Sequence, residues 1–213
     1  MRNFLQIAQG QDFSPLSIAL ARQPELWNAH GVRHWHPESV HAQSGLDDII
    51  LRYNKFDPRT DDFVEAVCAN LAVENYPAWP RLPEATEMIH SLMLKVRGLE
   101  LGRCMISRLA PGARIPLHSD RIAPAEEAYP YRVPPAVYYD RYHIVLSGHP
   151  GMVFSCGDEH VRMLTGEVWW FNNQLEHEVV NNSAEDRIHL IVDIHSAQGV
   201  YTPPFARPED YKK

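Results

Sequence analysis

Residues 166–195, GEVWWFNNQLEHEVVNNSAEDRIHLIVDIH, decide how this chain is read. Val168, Trp169, Trp170 and Phe171 are β-type residues, and so are Ile188, Leu190, Ile191, Val192 and Ile194. Between the two runs lies Asn181-Asn182-Ser183-Ala184-Glu185-Asp186, a cluster of turn formers. The stretch therefore predicts a histidine, His177, near the end of one strand, a tight return, and an arginine, Arg187, at the start of the next.

A second motif lies upstream. Pro116-Leu117-His118-Ser119-Asp120 supplies an H-x-D. In a strand, residues i and i+2 share a face, so His118 and Asp120 can reach one cation. With His177 from a distant strand they form a candidate 2-His-1-carboxylate set, the facial triad of non-haem Fe(II) oxygenases, which leaves positions open on the metal. Alone the H-x-D is a weak signal, because a chain with 12 histidines holds some by chance.

Arg187 strengthens the reading. A guanidinium facing inward needs an anionic partner, and its fork matches a carboxylate bidentately. The bland alternative is an outward arginine, or one paired with Asp186 or Glu185. Alternation puts Arg187, His189 and Ile191 on one face and Ile188 and Leu190 on the other; the pattern does not say which face is inside.

The rest of the chain supplies the frame. Residues 14–29 predict one or two short helices, capped by Ser14 or Ser17, with Ile18, Leu20, Ala21 and Leu26 inward and Pro24 interrupting. A histidine-rich loop follows (His30, His34, His36, His41), read as a flexible or substrate-facing segment. Asp48–Asn54 predicts a strand and 61–72 a helix. Residues 84–96 give the clearest helix, with Ile89, Leu92, Met93 and Val96 inward and His90 packed or at the surface. Short strands are then expected over 104–109, 141–146, 152–155, 160–163, 167–171 and 188–194, with a turn at Pro111-Gly112. Residues 121–140 form a long polar and aromatic loop, of the kind that serves as a lid or binding loop. Many short strands with regular turns predict an all-β barrel or sandwich in the second half.

Bulk properties bound the function. The 213 residues suit one domain, and 45% hydrophobic content is ample for a core. A net charge of −7 with histidines neutral leaves no electrostatic footprint for nucleic acid or an anionic membrane. Cys68, Cys104 and Cys156 form no disulfide or C-x-x-C pattern. With no leader pattern and no long apolar run, the expectation is a soluble cytoplasmic protein that does not engage a membrane. Seventeen prolines argue for a loop-rich fold rather than a helical bundle.

The ordered set resembles a known family. Ile106-Ser107-Arg108-Leu109-Ala110-Pro111-Gly112, then Pro116-Leu117-His118, Arg141-Tyr142-His143, the 166–173 run, His177 and Arg187 look like the aspartyl/asparaginyl β-hydroxylases. These are a branch of the Fe(II)- and 2-oxoglutarate-dependent oxygenases. The resemblance spans 104–194. It implies a mainly β fold: a double-stranded β-helix, or jelly-roll and cupin-like barrel, over 96–197. An N-terminal helical and mixed extension (1–95) would pack on it, and a tail (198–213) would follow. It implies Fe(II), 2-oxoglutarate and O₂ as cofactor and co-substrates, with release of succinate and CO₂. The substrate would be an amino acid, a peptide side chain or another small molecule.

By position, the resemblance makes His118 and His177 iron ligands. Arg187, assisted by Ser107, falls on the far carboxylate of 2-oxoglutarate, and Arg141 with His143 on the near one. The chain departs from the best-known members at Asp120, where those have no carboxylate, and in the longer segment between Asp120 and Arg141. Asp120 is taken as the third ligand, which restores the commoner triad. Arg52, Arg114, Arg121, Tyr131 and Arg132 are further residues that could meet a polar substrate. Two rivals stand beside the oxygenase. One is a metal-dependent cupin, an isomerase or a ring-cleaving dioxygenase without 2-oxoglutarate. The other is a barrel that only binds. Arg187 with Ser107 separates the first rival from the oxygenase, and the intact H-x-D…H speaks against the second.

Overall fold

A computed structural model of the chain describes residues 3–31, 33, 41, 44–55, 73–120, 139–173 and 175–196. Eleven strands are found among them: β1 (Phe4–Ala8), β2 (Leu46–Asn54), β3 (Val73–Asn75), β4 (Gly98–Leu109), β5 (Arg114–His118), β6 (Asp140–Ser147), β7 (Met152–Cys156), β8 (Glu159–Val161), β9 (Val168–Phe171), β10 (His177–Asn181) and β11 (Arg187–Ser196). Two α-helices, α1 (Ser14–Arg22) and α2 (Pro83–Lys95), and two short 3₁₀ turns complete the described elements.

The strands make two antiparallel sheets. The larger runs β1-β9-β6-β11-β4-β2-β3 and the smaller β5-β10-β7-β8. This is the mainly β, cupin-like double-stranded β-helix that the resemblance implies. Strands β1, β2 and β3, all from the first 95 residues, belong to the larger sheet, so that region is woven into the sheet as well as packed on it. The turn between β10 and β11 is not a hairpin. It carries the chain from the smaller sheet to the larger, which strand propensity cannot reveal.

Side-chain alternation sorts the larger sheet into two faces. Ile106, Tyr142, Ile144, Trp170, Leu190, Val192 and Ile194 pack outward, against α1 and α2, in one buried cluster with Leu16, Leu20, Ile89 and Leu92. Leu109, Val145, Trp169 and Phe171 point inward and meet Ile115, Phe154 and Val179 from the smaller sheet. Thus Arg187, His189, Ile191 and Asp193, which share parity on β11, line the interior between the sheets.

Local details account for the element ends. The Ala113 amide bonds to the Ala110 carbonyl at 3.1 Å, and Gly112 between them has φ +74°. That is a Pro-Gly turn needing a positive φ at its third residue, and it passes the chain from β4 into β5. Ser14 and Ser17 do not cap α1: the N-cap is Phe13, and the Asp12 carboxylate accepts from the Ser14 amide at 2.9 Å. Ile18 and Ala21 lie exposed, while Leu16, Ala19 and Leu20 are buried; the stripe that docks on the sheet and α2 is rotated from the expected one. On α2, Ile89, Leu92 and Val96 are buried as expected, and His90 is exposed. The helix expected over 61–72, His34 and His36, and most of the 121–140 loop lie outside the described residues, as does the tail. Among the described residues no helix is long and apolar enough to cross a membrane.

The two faces predict different sensitivities. Leu190 is fully buried between sheet and helices, so Leu190→Ala should lose about 2–5 kcal/mol of unfolding free energy. Leu94 on α2 is 82% exposed, and Leu94→Ala should change stability by less than about 0.5 kcal/mol. Urea denaturation of both variants checks this, and equal midpoints would contradict the burial pattern.

Candidate metal centre

The β5–β10 pairing sets His118 directly opposite His177. Their rings lie 4.3 Å apart between centroids. Each ring is oriented by the same local device. His118 Nδ1 bonds to the Pro116 carbonyl at 2.7 Å, and His177 Nδ1 to the Leu175 carbonyl at 2.9 Å. A carbonyl only accepts, so both Nδ1 atoms carry the proton. The Nε2 lone pair of a neutral ring is then free for a metal. Burial pushes the His177 pKa down, only partly offset by Asp120, which favours that neutral form.

Asp120 completes the set, although not quite as the i, i+2 argument has it. β5 ends at His118, and Asp120 lies two residues beyond, outside the regular strand. Its carboxylate still turns inward, with Oδ1 3.9 Å from His118 Nε2 and Oδ2 3.5 Å from His177 Nε2. All three ligand atoms lie within 4.8 Å of one another. Donors about 2.1 Å from one ion lie within about 4.2 Å of each other, so the trio is close to a metal-binding arrangement. Among the described residues it is the only such group. Burial would push the Asp120 carboxyl up, but nearby positive charge, that of the Arg141 guanidinium first, outweighs it and holds it below its ordinary range. Two neutral imidazoles and one carboxylate suit a divalent first-row metal with open positions, as in the Fe(II) facial triad.

Arg141 does more than the sequence suggests. Its Nη1 donates to Asp120 Oδ2 at 2.6 Å, and its Nε and Nη2 donate to Asp193 at 2.7 and 2.8 Å. Three of its five N–H donors are thereby spent on carboxylates. Among the described residues Ser107 makes no hydrogen bond to Arg187. Its hydroxyl donates to Asp48 Oδ1 at 2.6 Å and accepts from Arg33 at 2.9 Å.

Arg187 is 3% exposed and, among the described residues, has no carboxylate within 4.0 Å. Burial without an anion pushes its pKa down to about 9. Its Nη2 lies 3.0 Å from His189 Nδ1 and 3.4 Å from His143 Nδ1. A guanidinium only donates, so the shorter contact needs a lone pair on His189 Nδ1, and the proton of that neutral ring sits on Nε2. Burial and then Arg187 push both imidazoles well down, so neither competes for charge. His189 Nε2 is buried with no hydrogen-bond partner among the described residues. Phe154 and Phe171 wall the space between this cation and the triad. Phe171 lies 4.9 Å from the His177 ring and 5.3 Å from His143, and the Arg187 guanidinium stands 5.9 Å from the Phe154 ring.

Several neighbours have no conspicuous sequence signal. His189 and Asp193 share parity with Arg187 and become inward residues once Arg187 is taken as inward. Arg33 and Asp48 lie far upstream in the chain. His41 packs its ring 5.6 Å from His118, which ties one member of the histidine-rich loop to the triad. Arg52 bonds to Asn75 and to the Leu101 carbonyl, and Arg114 is exposed at a strand start. Arg121, Tyr131 and Arg132 lie outside the described residues. Trp170 faces the helices, and Asn172 and Asn173 serve backbone links, to Asn3 and Asp120 respectively.

Comparison with known proteins agrees with this architecture. A prolyl hydroxylase from Trichoplax adhaerens, solved with a peptide fragment of the hypoxia inducible factor oxygen degradation domain, superposes with a TM-score of 0.55. It is 9% identical, over 92% of this chain and 84% of that one. A Pseudomonas putida prolyl-4-hydroxylase aligns with TM-score 0.49 and 15% identity, over 92% and 94%. A 2-oxoglutarate/Fe(II) oxygenase-family oxidoreductase from Burkholderia pseudomallei gives 0.48 and 14%, over 92% and 95%. Of these three only the first exceeds a TM-score of 0.5, and at 9% identity its likeness speaks to the fold alone. No curated protein sequence matches. The sequence pattern of the aspartyl/asparaginyl beta-hydroxylase family, in contrast, matches residues 65–197. That match takes in more than half of the chain, with the triad and Arg187 inside it, and so the chain belongs to the aspartyl/asparaginyl β-hydroxylase family and is an enzyme with the fold of the 2-oxoglutarate/Fe(II) hydroxylases.

Proposed function

We propose that the protein is an Fe(II)- and 2-oxoglutarate-dependent dioxygenase. It hydroxylates an amino acid, a peptide side chain or another small molecule, with release of succinate and CO₂. The observation that carries this reading is the pairing of a His-Asp-His triad with a buried arginine that lacks an anion. A triad alone also serves metal-dependent cupins. A cation buried beside it without a carboxylate is costly unless a ligand supplies one, and a five-carbon diacid does.

In this reading His118, Asp120 and His177 hold the metal. Bound there, Fe(II) with 2-oxoglutarate would supply the O₂ activation and oxidising power for C–H hydroxylation. The chain's own residues bind, orient and keep dry. Arg187 takes the far carboxylate, and charge pairing then restores its pKa. The remaining N–H donors of Arg141 and the adjacent His143 flank the near carboxylate. Ser107, its hydroxyl bonded to Asp48 and Arg33, assists Arg187 there. Phe154 and Phe171 exclude water from the space between cation and triad, where each charge interaction is strengthened.

Anaerobic absorption spectroscopy tests the core of this reading. Fe(II) and 2-oxoglutarate together should produce a weak visible charge-transfer band that neither gives alone. His118→Ala or His177→Ala should abolish the band and turnover with the fold intact, and normal activity in His177→Ala would sink the assignment. Arg187→Met makes a second, less intuitive prediction. Removing an uncompensated buried charge should raise thermal stability, on the order of 1 kcal/mol or more. The same change should weaken 2-oxoglutarate by at least about tenfold, seen as a higher KM and loss of the co-substrate's stabilising Tm shift. A variant less stable than the parent and still stabilised by 2-oxoglutarate would refute this role for Arg187.

A further inference from the structure

Asp120 is the least anchored of the three metal donors. His118 and His177 both sit in strands and are fixed by carbonyls two residues upstream. Asp120 lies beyond the end of β5, and its amide reaches the Asn173 carbonyl at a long 3.3 Å. Its carboxylate is held from the other sheet, by Arg141 Nη1 at 2.6 Å.

Arg141 is itself gripped along its opposite edge. Asp193 takes Nε and Nη2 in a two-point contact, and the two residues are register partners on β11 and β6 in the interior of the larger sheet. A guanidinium is a rigid planar fork. Fixing the Nε/Nη2 edge therefore fixes the direction in which Nη1 points. Asp193 and Asp120 share one cation, so the trio carries a net negative charge that favours a dication at the triad.

From this arrangement we infer that Asp193 is a positioning residue of the metal centre. Acting through Arg141, it sets the orientation of the Asp120 carboxylate. It thereby gives a ligand at a loose strand end the precision of a central sheet. The inference rests on the triad being a metal site, and outer partners of metal ligands commonly carry a measurable share of the affinity.

Co(II) is a suitable probe, because its visible d–d bands report the ligand set without any turnover. The full chain should bind Co(II), and His118→Ala should abolish binding. Failure of the parent to bind Co(II) would overturn the metal-site reading and this inference with it. Given binding, Asp193→Asn should weaken Co(II) by about 10- to 100-fold in a protein that still unfolds cooperatively. The same substitution in an Asp120→Ala background should change affinity by less than about twofold, because no carboxylate remains to be oriented. A merely structural role would carry the same loss into both backgrounds. Unchanged affinity in Asp193→Asn, or an equal factor in both backgrounds, overturns the inference and leaves the metal site standing. Arg141→Lys keeps the charge and loses the fork, so it decides the matter if Asp193→Asn does not fold. It should show the same loss and an altered d–d spectrum, and Co(II) binding like that of the parent would overturn the inference.

Discussion

The cost of putting charge between two apolar sheets governs this molecule. The interior holds Arg33, Asp48, Asp120, Arg141, Arg187 and Asp193, each at most 15% exposed. Such groups persist only when paired and hydrogen-bonded. Arg33 is paired with Asp48, and Arg141 with both Asp120 and Asp193. Arg187 is the exception, surrounded by neutral imidazoles and a phenyl ring. The protein thus settles most of its buried charge internally and leaves one cation for an anion from outside.

The two sheets divide the work. The smaller sheet brings two histidines face to face, each with its Nδ1 proton tied to its own backbone. The larger sheet supplies the cations and the second carboxylate: Arg141 from β6, and Arg187 and Asp193 from β11. Only at the interface between sheets can groups of both kinds converge. The wall of Phe154 and Phe171 lowers the local dielectric there and strengthens every pairing. Stability and function pull apart at this point, since the residue best suited to hold a diacid is also the one that the fold would be better without.

Much of the scaffold was legible because it follows short-range rules. Runs such as Val168–Phe171 and Ile188–Ile194 gave strands, the Pro111-Gly112 pair gave a turn, and α2 emerged from its apolar spacing. Misses arose where local preference was balanced. His177 opens a strand instead of closing one, because β9 ends at Phe171 in the larger sheet and β10 begins at His177 in the smaller. Strand β1 is short, and its pairing with β9 spans most of the chain. Ser14 looked like a cap, yet Phe13 holds that position and the Asp12 carboxylate accepts from the Ser14 amide.

By itself the sequence determined the donor types, their order and their chemistry: an H-x-D, a distant histidine, and an arginine at the head of an apolar strand. Alternation also tied His189 and Asp193 to whichever face Arg187 takes. What only the tertiary structure decided was which face that is, and who stands next to whom. Arg141 reaches Asp120 and Asp193, Ser107 turns to Asp48 and Arg33, and His41 lies against His118. Those contacts depend on register between strands far apart in the chain. A one-residue shift of register would reverse every side chain, and no local preference encodes it.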